Sequence, residues 1–243
     1  RADMCGRFVA TSTPDAIADY FGATATVAPL DVNFNVAPTH AVYGVVARAT
    51  DPDTPLDKTV RAFRWGLIPS WANDHRIGAR MINARAETLK QKPSFRDLVK
   101  NRRVIIPMDG FYEWKLGVAN GPGNAGGVPL KQPMYIHSVD GSPLAVAGLR
   151  ATWKDPSDPN HRWLHSTTLI TTAANDLMSL VHDRMPVLIP RDRWDDWLNP
   201  NYDNIDALSD IFTATNDSIL KMHAVSAKVN DVRNNAPDLL AEI

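Results

Sequence analysis

Arg103-Val104-Ile105-Ile106-Pro107-Met108-Asp109-Gly110-Phe111-Tyr112-Glu113-Trp114 sets the character of this chain. Arg103 to Pro107 is β-branched and apolar, the pattern of a buried strand. It ends in Met108-Asp109-Gly110, and a second strand-like run follows, with Glu113 between Tyr112 and Trp114. A carboxylate in such surroundings has its charged form disfavoured and its pKa raised. That is how a carboxyl becomes a general acid near neutral pH. The competing reading is a Glu on the outer face of an alternating strand.

Further strands are expected at Val42 to Val46, Arg61 to Leu67, Met134 to His137, Leu144 to Leu149, Leu164 to Thr172 and Leu220 to Val225. Phe34 to Thr39 reads as irregular, because a residue before proline is pushed to extended geometry. Helices are short. Thr13-Pro14-Asp15 opens one with a Thr cap and Pro at its first position, closed by Gly22. Others are expected at Lys92 to Lys100, with Ser94 as cap, after Thr172 to Leu177, and at Arg191 to Leu198 and Ile205 to Phe212. In the third of these Trp194 and Trp197 share the apolar side. Leu116 to Val128 is glycine-rich and reads as a hairpin loop. Val229 to Pro237 is polar and turn-rich. No fixed-period repeat and no linker composition divides the chain.

The chain has 243 residues, 44% hydrophobic and 22% charged, an ordinary globular balance. No apolar run approaches the roughly 20 residues that cross a bilayer, and no charged segment followed by an apolar one opens the chain, which argues against secretion. The net charge of −1 argues against a broadly basic coat for nucleic acid and leaves room for a local basic cleft. A single cysteine forms no internal disulfide and fits a reducing compartment.

That cysteine lies in Met4-Cys5-Gly6-Arg7-Phe8. Arg1 to Asp3 read as a leading remnant or an upstream start. If Met4 is the initiator, its removal leaves Cys5 with an α-amine, of reference pKa about 8, beside a thiol. Together these groups trap an aldehyde as a five-membered thiazolidine, which neither does alone. The alternative is a small buried hydrophobe. If the leading residues stay, Cys5 has only its thiol.

Other chemistry-bearing stretches follow. Trp65-Gly66-Leu67-Ile68-Pro69-Ser70-Trp71 sets two tryptophans about a turn, either as core or, where exposed, as a platform for bases. Arg76, Arg80 and Arg85 surround Asn83, as a basic patch or a solvated face. Val181-His182-Asp183-Arg184-Met185-Pro186 suits a functional loop entering a strand, with His182 either catalytic or structural.

In order along the chain, Met4 to Phe8, Asn35 to Pro38, Trp65 to Trp71, Ile82 to Thr88, Arg103 to Trp114, Thr171 to Asn175, His182 to Pro186 and the Val229 to Pro237 tail resemble the SRAP family (SOS response-associated peptidase), the abasic-site-crosslinking proteins. The resemblance implies one α+β domain over residues 4–243, with a curved, barrel-like, mostly antiparallel sheet flanked by short helices. It implies capture of abasic sites in single-stranded DNA by the N-terminal cysteine, with Cys5, Asn83, Glu113 and His182 as catalytic residues. DNA contacts then fall on Arg7, Asn35, Pro38, Trp71, Arg80, Arg85, Thr172, Arg184 and Pro186. Ala72 replaces the second of two aromatic residues that form a wedge in some members. No metal or organic cofactor is implied, and a cytoplasmic monomer, nucleoid-associated when bound, is expected. A thiol (auto)peptidase using Cys5, His182 and Asn83 or Glu113, and a non-covalent reader of damaged DNA, are the alternatives.

Overall fold

The computed structural model describes residues 5–49, 51, 54–117, 131–160, 162–202, 204–213 and 215–243. The strands in chain order are β1 (Arg7–Ala10), β2 (Thr24–Ala25), β3 (Asn33–Val36), β4 (Ala41–Arg48), β5 (Asp57–Trp65), β6 (Asn83–Arg85), β7 (Arg103–Met108), β8 (Gly110–Leu116), β9 (Lys131–Ser138), β10 (Leu144–Lys154), β11 (Trp163–Ala173), β12 (Arg184–Pro186) and β13 (Leu220–Ala224). The α-helices are α1 (Pro14–Phe21), α2 (Leu98–Asn101), α3 (Asp176–Ser179) and α4 (Trp194–Leu198).

Five strands close on themselves. β4 pairs with β5 and β7, β7 with β10, and β10 with β11, all antiparallel. A parallel pairing of β11 with β5, Ser166 opposite Arg64 and Thr167 opposite Trp65, completes a mixed barrel. The second sheet, in the order β13-β9-β8-β1-β3, is antiparallel throughout. The fold is therefore α+β, as expected from sequence.

Alternation along the strands gives the barrel two apolar faces. Tyr43, Val45, Ile105, Ala147 and Leu149 share a core with Ile17 and Phe21 of α1 and Trp194 and Trp197 of α4, so this face is the outside, covered by helices. Val42, Val46, Phe63, Trp65, Val104, Ile106, Val146 and Leu169 form the inner face, and their core continues into Phe8, Phe111 and Ile136 of the second sheet. A Cβ on Gly44 would stand 2.7 Å from Val104 Cγ2 and 2.9 Å from Phe63 Cε2, which shows how closely the inner face is packed. β7 is buried at every position because it serves both cores. The buried indoles of Trp65, Trp153, Trp194 and Trp197 each donate to a backbone carbonyl, of Ile82, Ala72, Ile189 and Val104 respectively.

Several local expectations are corrected. Phe34 to Val36 is strand, not irregular, because β1 offers it a ladder, with Phe8 opposite Val36. The irregular part starts at Ala37, and Thr39 holds φ +77° there, a strained value for a β-branched residue. Lys92 to Lys100 is not one capped helix. Pro93 to Asp97 form turns in which Phe95 and Arg96 both donate to the Lys92 carbonyl, and only α2 is α-helical, without a Ser94 cap. Arg191–Arg193 and Ile205–Phe212 are 3₁₀ turns. α1 is as expected: Thr13 accepts from the Ala16 N–H and Gly22 closes it at φ +62°. The glycine-rich hairpin loop lies, from Val118 on, outside the described residues.

Closure depends on Gly66. It follows β5 at φ +117°, its N–H donates to the Thr167 carbonyl at 2.8 Å, and a Cβ there would sit 2.5 Å from the Gly78 carbonyl oxygen. An Ala at this position meets both a disfavoured backbone and a backbone clash. Gly66→Ala is expected to lower the unfolding free energy by about 1–3 kcal/mol. Urea unfolding at fixed pH checks this, and an unchanged midpoint would show that β5 can shift without loss.

Candidate active site

β1 lies between β3 and β8, with Arg7 opposite Tyr112. Cys5 lies two residues before this strand and is turned at φ +48°, in the left-handed region. On β8, Glu113 has the same parity as Phe111 and so faces the inner core. The turn brings the Cys5 nitrogen onto that carboxyl: the N–H donates to Glu113 Oε1 at 2.5 Å. Both residues are buried, at 2% and 4% exposure. In this chain the nitrogen is a peptide amide, because Met4 precedes it.

The electrostatics follow from burial. The Glu113 carboxyl is pushed above the usual carboxylate range by desolvation; the Cys5 N–H, the charge of His182, the Cys5 thiol and the Trp114 N–H oppose this in part. The Cys5 thiol is pushed well up, first by burial and then by the Glu113 charge and hydrogen bond, with Arg184 acting against the shift. A buried thiol beside a carboxyl is held protonated, unlike the thiolate of a cysteine with a cationic neighbour.

His182 and Arg184 arrive from the other sheet. α3 starts on an Asn175 cap, and the Met178 carbonyl accepts from the His182 N–H at 2.9 Å. β12 pairs with the end of β11, with Ala173 opposite Arg184. The Arg184 N–H donates to His182 Nδ1 at 3.2 Å, and Asp183 Oδ1 lies 2.9 Å from the same nitrogen, so two neighbours contend for it. β6 runs parallel to β11 with Asn83 opposite Leu169 and Arg85 opposite Thr171. This places Asn83, half-buried, and Arg85, exposed, on the segment that flanks Arg184.

Arg184 is already engaged. Its guanidinium binds both Glu87 oxygens, at 2.5 and 2.9 Å, and donates to the Thr171 carbonyl at 2.7 Å. The bidentate pair holds the Glu87 carboxyl below its usual range. The sequence does not single out Glu87, although it lies within the Ile82 to Thr88 stretch; its role rests on β12, which is distant in sequence.

The nine residues expected to contact DNA divide by exposure. Trp71 is 60% exposed, and Arg80 and Arg85 are exposed. Pro38 is half-buried beside the strained Thr39. Three are buried instead. Asn35 is fully buried, and its Nδ2 donates to the carbonyls of Val229, Asp231 and Asn234, each at 3.1 Å. Thr172 and Pro186 are buried where β11 meets β12. Arg7 donates to Asn35 Oδ1 at 2.9 Å and the Val229 carbonyl at 2.8 Å, and its guanidinium lies 6.0 Å from the Trp114 ring centre. Arg7 and Asn35 thus hold the polar 229–235 tail against the second sheet, a use its turn-rich composition does not reveal. Among the described residues, no group of three or more His, Cys, Asp or Glu is disposed to hold a metal.

The chain resembles proteins already described. It is 36% identical to "Abasic site processing protein YoqW" of Bacillus subtilis over 98% of this chain and 99% of that one. It is 31% identical to "Abasic site processing protein HMCES" of Xenopus tropicalis, covering 77% of this chain and 58% of that one. A crystal structure of a protein from Bacteroides thetaiotaomicron shares the fold with a TM-score of 0.79 at 22% identity, covering 98% of this chain and all of that one. The model of the SOS response associated peptidase family matches residues 4–232, and with that match, the barrel and the Cys5–Glu113 contact, this chain belongs to the SRAP family.

Proposed function

We propose that this protein processes abasic sites in single-stranded DNA by capturing the opened sugar covalently at Cys5. One observation carries the reading: the Cys5 nitrogen, which becomes an amine once the preceding residues are removed, lies 2.5 Å from the Glu113 carboxyl, which also acts on the thiol. The names of the relatives support the substrate, an abasic site.

An abasic deoxyribose is mostly a closed hemiacetal and reacts once opened to its aldehyde. His182 moves the protons of ring opening, since an imidazole exchanges protons near neutrality. The Cys5 amine, relieved of its extra proton by Glu113, adds to the aldehyde carbon. Glu113 returns the proton to the carbinolamine hydroxyl, which leaves as water and gives the imine. A carboxyl with raised proton affinity suits both halves of this exchange. The Cys5 sulfur then bonds the imine carbon while its proton passes to the nitrogen, closing a thiazolidine with net loss of one water. Asn83 positions the amine or sugar. Arg85 and Arg184 take flanking phosphates, Arg184 by exchanging Glu87 for a phosphate. Trp71, with Ala72 rather than a second ring after it, stacks on one base.

Self-processing is the second reading, favoured by the same contact. The Cys5 thiol adds to the Met4 carbonyl carbon, and the C–N bond breaks as the Glu113 carboxylic acid, which faces that nitrogen, protonates the leaving amine. Water then hydrolyses the thioester to release Arg1 to Met4 and restore the thiol. Incubation of the chain alone, followed by N-terminal mass, tests it: loss of Arg1 to Met4 without added protease is the expected sign. A purely non-covalent reader is rejected if binding survives denaturing electrophoresis only with abasic substrate.

Cys5→Ala, correctly processed, is expected to lose the heat-stable adduct while retaining or raising strand nicking, because an imine acidifies the adjacent C2 protons and no thiol closes on it. A heat-stable crosslink from this variant would remove the thiol from the mechanism. Glu113→Gln is expected to slow capture by about 10²–10⁴-fold, measured as adduct formed against time. It also carries a pH signature. A carboxyl whose proton affinity is raised by folding stabilises the protein fully below the ordinary carboxylate range, and that contribution is lost as pH rises through the raised value. The glutamine side chain of the variant does not titrate. The variant is therefore expected to gain stability relative to the native chain as pH rises from about 4 towards neutrality, by about 1.4 kcal/mol for each tenfold by which folding raises the proton affinity of Glu113. A pH-independent difference in urea midpoints would show that Glu113 is not perturbed.

A further inference from the structure

The end of the barrel remote from Cys5 carries a cluster that the capture chemistry does not use. Gly44, Phe63, Val104 and Gly148 face one another on the inner side of the wall. Alternation carries that side along β4 from Gly44 to Arg48, along β5 from Phe63 back to Arg61, along β7 from Val104 back to Arg102, and along β10 from Gly148 to Arg150. β11 contributes His165, whose ring centre lies 6.5 Å from that of Phe63. Register agrees: Leu149 is opposite Arg103, and the Arg150 N–H donates to the Arg102 carbonyl at 2.8 Å. Four strands of the barrel thus turn an arginine, and the fifth a histidine, to the same side of the wall, with the charges of Arg48, Arg61 and Arg102 all acting on Arg150.

These charges are not neutralised locally. Arg48, Arg61 and Arg102 are exposed, while Arg150 is half-buried at their centre, with its Nε buried and unpartnered. Among the described residues, Arg76, Arg96, Arg162, Arg184, Arg193 and Arg233 form ion pairs, whereas the four at this mouth form none. Asp57, opposite Arg48 on β5, makes no ion pair with it. Asp155 and Asp158, between β10 and β11, are engaged in local bonds, Asp155 with Ser157 and Asp158 with Asn160 and Arg162. Burial and the charges of Arg102, Arg61 and Arg48 pull the Arg150 guanidinium down to about 10, so it stays charged at neutral pH while held among like charges. Like charges assembled without counterions mark a place for an anion. Further along the same face of β11, two residues before His165, Trp163 is 61% exposed and carries the Lys154 ammonium 5.8 Å from its ring centre, which leaves its other face for a base.

The geometry points to a second nucleic-acid contact at this mouth: a single-stranded segment whose phosphates lie on Arg48, Arg61, Arg102 and Arg150 and one of whose bases stacks on Trp163. Arginine forks with a neighbouring exposed indole are the pairing that unstacked strands require, whereas an inorganic anion needs no indole. Its far edge, Arg48, lies about 20 Å along β4 from Val42 of the core shared with Cys5, at about 3.3 Å per residue. It stands apart from the capture chemistry and holds even if Cys5 forms no adduct.

The test uses the full chain and undamaged single-stranded oligodeoxynucleotides, read by fluorescence anisotropy over a salt series. The triple variant R48Q/R61Q/R102Q is expected to bind a long oligonucleotide at least tenfold more weakly and to reduce the slope of log affinity against log salt by about 2, at about 0.7 per lost phosphate contact. Trp163→Ala is expected to weaken binding by about tenfold with the slope unchanged. Adduct formation with a short abasic oligonucleotide is expected to be unaffected by the triple variant. If the triple variant fails to fold, Arg61→Gln alone, at an exposed position, is expected to reduce the slope by about 0.7. Native affinity and slope in these variants would overturn the proposal. So would equal loss of short-substrate capture, which would make the mouth part of one continuous site. Tripolyphosphate, titrated alone, is the remaining arm: tight binding that the arginine variants abolish while DNA binding persists would assign the mouth to a small anion instead.

Discussion

A carboxyl group buried against the backbone nitrogen of Cys5 is the constraint on which the site depends. Glu113 sits at 4% exposure between two sheets, where its ionised form is costly. The groups that offset that cost come from different parts of the chain: the Cys5 nitrogen, the Trp114 N–H and the charge of His182. The Cys5 N–H is the foremost of them, and they converge only when β8 lies against β1 and β12 lies against β11. The carboxyl therefore ties the readiness of the site to the correct packing of both sheets. Its raised proton affinity is a liability for folding at neutral pH, and in the capture proposed above it would serve to pass protons between an amine and a departing hydroxyl.

The barrel gives that site its rigidity and gives the molecule two unlike ends. The parallel pairing of β11 with β5 closes a ring that is otherwise antiparallel, and Gly66 makes the closure possible by letting the chain pass over Gly78. Strands that run through a closed wall carry their two ends to opposite mouths. One mouth continues into the core around Cys5, Phe8 and Phe111. The other gathers Arg48, Arg61, Arg102 and Arg150, which form no ion pair among the described residues and whose mutual repulsion is felt by the half-buried Arg150. The formal charge of −1 conceals this separation completely.

Polar residues near the site divide between chemistry and construction. Asn35 and Arg7 both lie in stretches that suggest DNA contact, yet they bind backbone carbonyls of the 229–235 tail. A tail made of turns leaves carbonyls without partners, and a buried amide donating to three of them satisfies groups that would otherwise be desolvated at a cost. Arg184 is intermediate. It is held by Glu87 and Thr171, and the phosphate contact proposed above would require displacing a bidentate carboxylate.

Local sequence suffices for most strands and for the apolar interior. Alternating or wholly apolar runs such as Arg103 to Pro107 and Leu144 to Leu149 must be strands, and the Thr13 and Gly22 caps bound a helix, because each depends only on neighbours along the chain. The raised proton affinity of Glu113 is legible for the same reason, from the aromatic residues beside it. Whatever depends on distant partners waits for the fold: that Phe34 to Val36 pairs with β1, that Trp65 is core while Trp71 is exposed, that Glu87 clasps Arg184, and that Asn35 is buried. The fold also selects which arginines meet. Arg48, Arg61, Arg102 and Arg150 are scattered along the chain with no motif to join them, and only the register of a closed barrel brings them to one rim.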